Sequence, residues 1–188
     1  AAERLSGFGL SVTVADARTF DFDLDLVSAS ADQFREQMLL LKQRFVPMRL
    51  GDVVTAMEAG QGLPAGAVVV TFDDGYDDNY HVAYPILREL DLPATFFVST
   101  GHVDSGRPYD YDWLVHMVLR TTASRLHIPE LGLDLPLPEE RIGRRQLAGE
   151  ILNRLKALQA VIQSALLARL AADLDVPMTG AHPACQPM

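Results

Sequence analysis

The hexapeptide Thr71-Phe72-Asp73-Asp74-Gly75-Tyr76 sets two carboxylates side by side, directly after the apolar run Ala67 to Phe72 and ahead of a segment with helical spacing. Adjacent carboxylates repel, and the repulsion raises one pKa unless a cation lies beside them. A divalent metal removes that cost, leaving one acid as ligand and the other as general base toward metal-bound water. The position favours chemistry, because ligands in α/β folds gather at the carboxyl ends of parallel strands. The competing reading is a surface Asp-Gly turn with an N-cap for the next helix. Asp77 and Asp78 follow closely, but the D-x-D-x-D-G-x₅-E order of a calcium loop is not met.

The histidines are His81, His102, His116, His127 and His182, and no two are four apart. His102 stands at the end of an expected strand, where a ligand can sit. His116 falls on an expected helix as a surface or packing residue, and His81 lies close enough in sequence to pair with Asp77 or Asp78. The single cysteine, Cys185, excludes both an intrachain disulfide and a cysteine-based metal site.

The elements that must position these groups follow from periodicity. Alternation of Phe20, Phe22, Leu24 and Leu26 with Asp21, Asp23 and Asp25 predicts a half-buried strand whose acids face water. Phe34, Met38, Leu41 and Phe45 share one face of an expected helix capped by Ser30 or Asp32. A short helix over Leu50 to Met57 ends before the turn residues of GQGLPAG. The β-branched run Ala67 to Phe72 reads as a strand buried on both faces of a parallel sheet. A helix over Asp77 to Leu90 follows, with Pro85 marking a kink or a new start. Leu92 to Ser99 reads as a second buried strand closed by Gly101, completing a βαβ unit. Helix is expected again from Tyr109 to Arg120, and short extended pieces in HIPELGLDLPLPEE. From Arg141 to Asp173, Ile151, Leu155, Leu158, Ile162, Leu166 and Leu170 predict a long amphipathic helix or a helical hairpin.

Composition narrows the class. The 188 residues are 48% hydrophobic and 22% charged, enough for one ordinary core and unlike a disordered chain. The net charge of −9 repels a phosphate backbone, so nucleic acid is excluded as a partner. Fifteen acids and seven bases lie in residues 1–94, so nearly all the acid excess lies in the first half of the chain. Apolar runs are too short for a membrane-spanning helix.

With its flanks, VVVTFDDGYDDNYHVAYPILRELDLPATFFVSTG resembles the first half of the polysaccharide deacetylase family (the NodB homology domain), densely over about residues 65–103. The resemblance implies an α/β fold, here a partial (β/α) barrel. Residues 1–188 would form a single partial domain with a mostly helical insertion over about 124–180. It also implies metal-dependent hydrolysis of N-acetyl or O-acetyl groups on a sugar polymer such as an N-acetylglucosamine polysaccharide. Asp73 would be the general base and Asp74 a ligand to a divalent metal, zinc first and cobalt or nickel as substitutes, with Thr71, Phe72 and Gly75 shaping the loop. A polymer of that kind points to the cell envelope or the cell exterior, although the sequence leaves the compartment open.

The family also supplies a His-x-x-x-His segment for the metal and a late Leu-x-His acid, and neither is present here. The expectation is therefore an internal stretch of a deacetylase, inactive alone. Two alternatives stay open. One is a non-catalytic carbohydrate-binding or interaction module on the same fold. The other is a haloacid-dehalogenase-like phosphatase, whose D-x-D-G signature does not match the adjacent Asp73 and Asp74.

Overall fold

The structure, a computed structural model, describes residues 6–10, 12–13, 22 and 27–177. These fall into two compact units, one running to Gly106 without Phe22, the other made of Phe22 and residues 107–177.

The first unit contains, in order, β1 (Ser6–Leu10), β2 (Val12–Thr13), β3 (Val27–Ala29), α1 (Ala31–Arg44), β4 (Val46–Pro47), α2 (Leu50–Glu58), β5 (Ala67–Phe72), a π-helical turn (Asn79–Ala83), α3 (Tyr84–Glu89), β6 (Thr95–Phe96) and α4 (Thr100–Ser105). β5 is its axis. β1 lies parallel along one edge, from Ser6 opposite Val68 to Leu10 opposite Phe72. β4 pairs with Ala67 and Val68 and β6 with Thr71 and Phe72, both parallel, so they share the other edge end to end. β2 and β3 form a separate parallel pair.

Alternation along β5 sends Val68, Val70 and Phe72 into a core shared with Phe34, Met38 and Leu41 of α1 and with Ala83, Leu87 and Leu90. Phe72 stacks on Phe96 at 4.7 Å and meets the edge of Phe34 at 5.9 Å. Ala67 and Val69, on the opposite face, are buried too, as the β-branched run predicts. Burial of each such large side chain contributes about 1.5–3 kcal/mol. α1 begins in a capping box: the Ser30 hydroxyl accepts from the Gln33 N–H while the Gln33 amide oxygen accepts from the Ser30 N–H.

The second unit comprises α5 (Asp110–Arg120), β7 (Arg125–Ile128), a 3₁₀ turn (Pro129–Leu131), β8 (Leu133–Pro136), α6 (Arg141–Leu155) and α7 (Ala160–Asp173). β7 and β8 form an antiparallel hairpin, and α5 packs against α6 and α7. Trp113, Leu114, Met117 and Val118 of α5 are buried in this packing. Arg144 closes the carboxyl end of α5 by donating to the carbonyls of Val118 at 3.1 Å and Thr121 at 2.7 Å. No described helix is long and apolar enough to cross a membrane.

Several expectations change. Leu92 to Ser99 is not one buried strand: only Thr95 and Phe96 find a partner on β5, and Phe97 and Val98 are exposed. Gly101 opens onto α4 instead of closing a strand. Phe45 ends α1 exposed, because the chain has already turned extended at the C-cap. The helix over Asp77 to Leu90 is split by the π-helical turn, after which Pro85 sits in the first turn of α3, where its missing N–H costs nothing. Of the two alternatives for Arg141 to Asp173, the chain takes two helices, broken at residues 156–159. Ile151, Leu155, Leu166 and Leu170 are buried while Ile162 is exposed. The Asp21, Asp23 and Asp25 alternation lies outside the described residues, as do His182 and Cys185; Phe22 is buried.

Candidate active site

The Asp-Asp-Gly loop leaves β5 at its carboxyl end. Phe72 carries the last strand pairings, and its carbonyl accepts from the Phe97 N–H at 2.8 Å. Asp73 then emerges exposed, while Asp74 is half-buried. Asp74 takes φ 72° and Gly75 φ 80°, both in the left-handed region. Asp tolerates that region better than most side chains, and Gly enters it freely. The resulting tight turn lets the Gly75 N–H donate to the Asp73 carbonyl at 2.9 Å and fastens the Asp74 carbonyl to the Ser99 N–H at 3.3 Å.

Gly75 is required twice over. A Cβ there would lie 3.0 Å from Val98 Cγ1 and 3.2 Å from Val98 Cβ, so the loop packs closely on Val98, two residues past β6. Thr71 and Phe72 close the strand beneath, Phe72 fully buried. Thus the loop is clamped between β5 and the segment following β6, with a carboxylate in solvent at its tip.

The histidines distribute differently. His102 is buried on α4, 6% exposed, and sits edge-on to the buried Tyr76 ring at 6.1 Å. His81 pairs with Asp77 at 3.2 Å on the surface. His116 is a packing residue, stacked on Trp113 at 4.8 Å and on Phe22 at 5.1 Å. Among the described residues, no three His, Cys, Asp or Glu side chains converge where a metal ion could be held.

A family model described as polysaccharide deacetylase matches residues 60–164, more than half of the chain. The chain belongs to the polysaccharide deacetylase family. It is 33% identical over 84 residues to a poly-beta-1,6-N-acetyl-D-glucosamine N-deacetylase of Escherichia coli, covering 44% of this chain and 12% of that one. It is also 33% identical over 88 residues to the Staphylococcus aureus enzyme of the same name, covering 46% of this chain and 30% of that one. The chain therefore spans less than a third of either relative. Among solved structures, IcaB from Ammonifex degensii superposes with a TM-score of 0.46 at 20% identity, covering 89% of this chain and 70% of that one. Membership sets aside the phosphatase alternative and makes this a hydrolase family member with an open, partial form of the deacetylase α/β fold.

Sequence reasoning missed three features of this polysaccharide deacetylase loop. Asn79 is fully buried with neither side-chain amide atom hydrogen-bonded to a described residue. Tyr76 is buried, which a loop tyrosine beside two acids does not announce. Tyr80 and Tyr84 stack in parallel at 5.6 Å on the surface. Their four-residue spacing was the available signal.

Proposed function

We propose that this chain carries the acid loop of a deacetylase that removes acetyl groups from an N-acetylglucosamine polymer, with Asp73 as general base and Asp74 as a carboxylate ligand to a divalent metal. One observation carries the reading: a D-D-G loop at the carboxyl end of a buried parallel strand, held by a glycine at positive φ where a Cβ would crowd Val98, with Asp73 presented to solvent. The named relatives share the substrate class, and the family match over residues 60–164 includes this loop.

In this mechanism Asp73 takes a proton from the water that attacks the acetyl carbonyl carbon. Collapse of the tetrahedral adduct breaks the C–N bond, the amine leaves with the proton that Asp73 took from water, and acetate is released. Thr71, Phe72 and Gly75 fix the loop so that the base needs no reorganisation. The described residues alone do not fit a catalytic zinc centre, which takes three protein ligands, because Asp74 brings a single carboxylate and no trio converges. Unassisted water is far too weak an acid for a carboxylate to deprotonate at neutral pH, so these residues alone make a poor catalyst.

The test is acetate release from β-1,6-linked N-acetylglucosamine oligomers with zinc, cobalt or nickel added, using this chain and the full-length protein. Activity confined to the full-length protein and lost in Asp73→Asn supports the reading. Turnover by this chain alone would place further ligands among its five histidines. A second reading, a sugar-binding module without catalysis, is favoured by the lack of any two histidines four apart. It predicts oligomer binding without acetate release in either protein.

A further inference from the structure

We infer that Tyr80 and Tyr84 form a stacking platform for a pyranose ring of the polymer chain, a subsite on the helical segment that follows the acid loop; it rests on the proposed deacetylase reading for the identity of the sugar. The two rings lie 6° from parallel with centroids 5.6 Å apart, and they are 55% and 41% exposed. Exposed aromatics of this size ordinarily shed that area into a core or a partner. Here the rings are held in place. His81 meets Tyr80 edge-on at 5.2 Å and is itself tied to Asp77 at 3.2 Å, so the platform is ordered before anything lands on it.

Its place on the chain matters. Tyr80 lies in the π-helical turn that begins four residues after Gly75, and Tyr84 opens α3. π-turns inside helices occur frequently at functional sites. Among the described residues neither phenol oxygen is engaged, so each hydroxyl is available to a sugar hydroxyl at the rim of the ring face. The chemistry of the surroundings selects the ligand. A flat apolar face bordered by hydroxyls matches the axial C–H face of a pyranose with its equatorial polar groups. Asp77 and Asp78, directly before that turn, repel a polyanion and attract the ammonium groups that deacetylation leaves on the polymer. The occupant is thus a neutral or partly deacetylated aminosugar chain.

The experiment titrates the chain with a β-1,6-linked N-acetylglucosamine hexamer, following tyrosine fluorescence and saturation-transfer NMR. Tyr80→Ala and Tyr84→Ala are each expected to weaken hexamer binding at least about fivefold, while Tyr80→Phe and Tyr84→Phe keep most of it, because the ring face carries the contact. Both side chains are exposed, and circular dichroism checks that the variants stay folded. Alanine variants that bind like the unaltered chain, or an unaltered chain that shows no hexamer contact, overturn the platform. Sedimentation settles the competing use of the patch: hexamer-independent self-association lost in the alanine variants would assign the tyrosines to a contact between copies and overturn the sugar subsite. Hexamer binding lost in the alanine variants, with no acetate released by the full-length protein, keeps the platform and refutes the deacetylase reading.

Discussion

At the scale of single residues, the site depends on backbone that only particular side chains accept. Gly75→Ala places a methyl group 3.0 Å from Val98 Cγ1 at a φ of 80°. It should cost about 1–3 kcal/mol in urea unfolding monitored by circular dichroism. A second residue test lies far from the chemistry. Arg144→Met removes the donors to the Val118 and Thr121 carbonyls, and about 1–3 kcal/mol of stability is expected to go with them. The acid pair was legible in the sequence because two carboxylates and a glycine after a β-branched run form a local pattern. The Asn79 amide, the buried Tyr76 and the Tyr80 and Tyr84 pair were not, since burial and ring geometry depend on residues far away in sequence or on the exact helical phase.

At the scale of elements, α1 is fixed by its capped start and by side chains that reach α3, Arg35 to Glu89 and Lys42 to the carbonyl of its C-cap Leu90. Ser30→Ala removes one half of the capping box and should lower the unfolding midpoint by an amount equivalent to about 1 kcal/mol. Arg35 on α1 and Glu89 on α3 form a two-pronged pair at 2.5 Å, and the hydrogen bond from Arg35 lowers the Glu89 pKa. A carboxyl group whose folded pKa is lowered stabilises the fold above its ordinary titration range and loses that contribution as pH falls through the lowered value. Glu89→Gln should therefore narrow the difference in denaturation midpoint between neutral and acidic pH. The effect is small because both side chains are open to solvent. β5 and the start of α1 were legible from local patterning, and their bounds match. β6 was overread, because the run from Leu92 to Ser99 is mostly apolar while strand length is decided by how much of β5 remains to pair with. The break between α6 and α7 was open for the converse reason: leucine spacing continues through residues 156–159 without a glycine or proline to mark the turn.

At the scale of the whole molecule, the charge of −9 and the acid-rich first half fit a partner that is neutral or cationic. Duplex DNA should show no retention on the chain at physiological salt, and a mobility-shift titration checks this. Zinc titrated into the chain by calorimetry should bind weakly, because Asp74 offers one carboxylate where catalytic zinc takes three protein ligands. The central claim, that Asp73 is the base of a deacetylation reaction, is tested most directly by acetate release from β-1,6-linked N-acetylglucosamine oligomers by the full-length protein and its Asp73→Asn variant. The expected result is a fall in turnover of about 10²–10⁴-fold with oligomer binding retained. Turnover that survives in Asp73→Asn would contradict it.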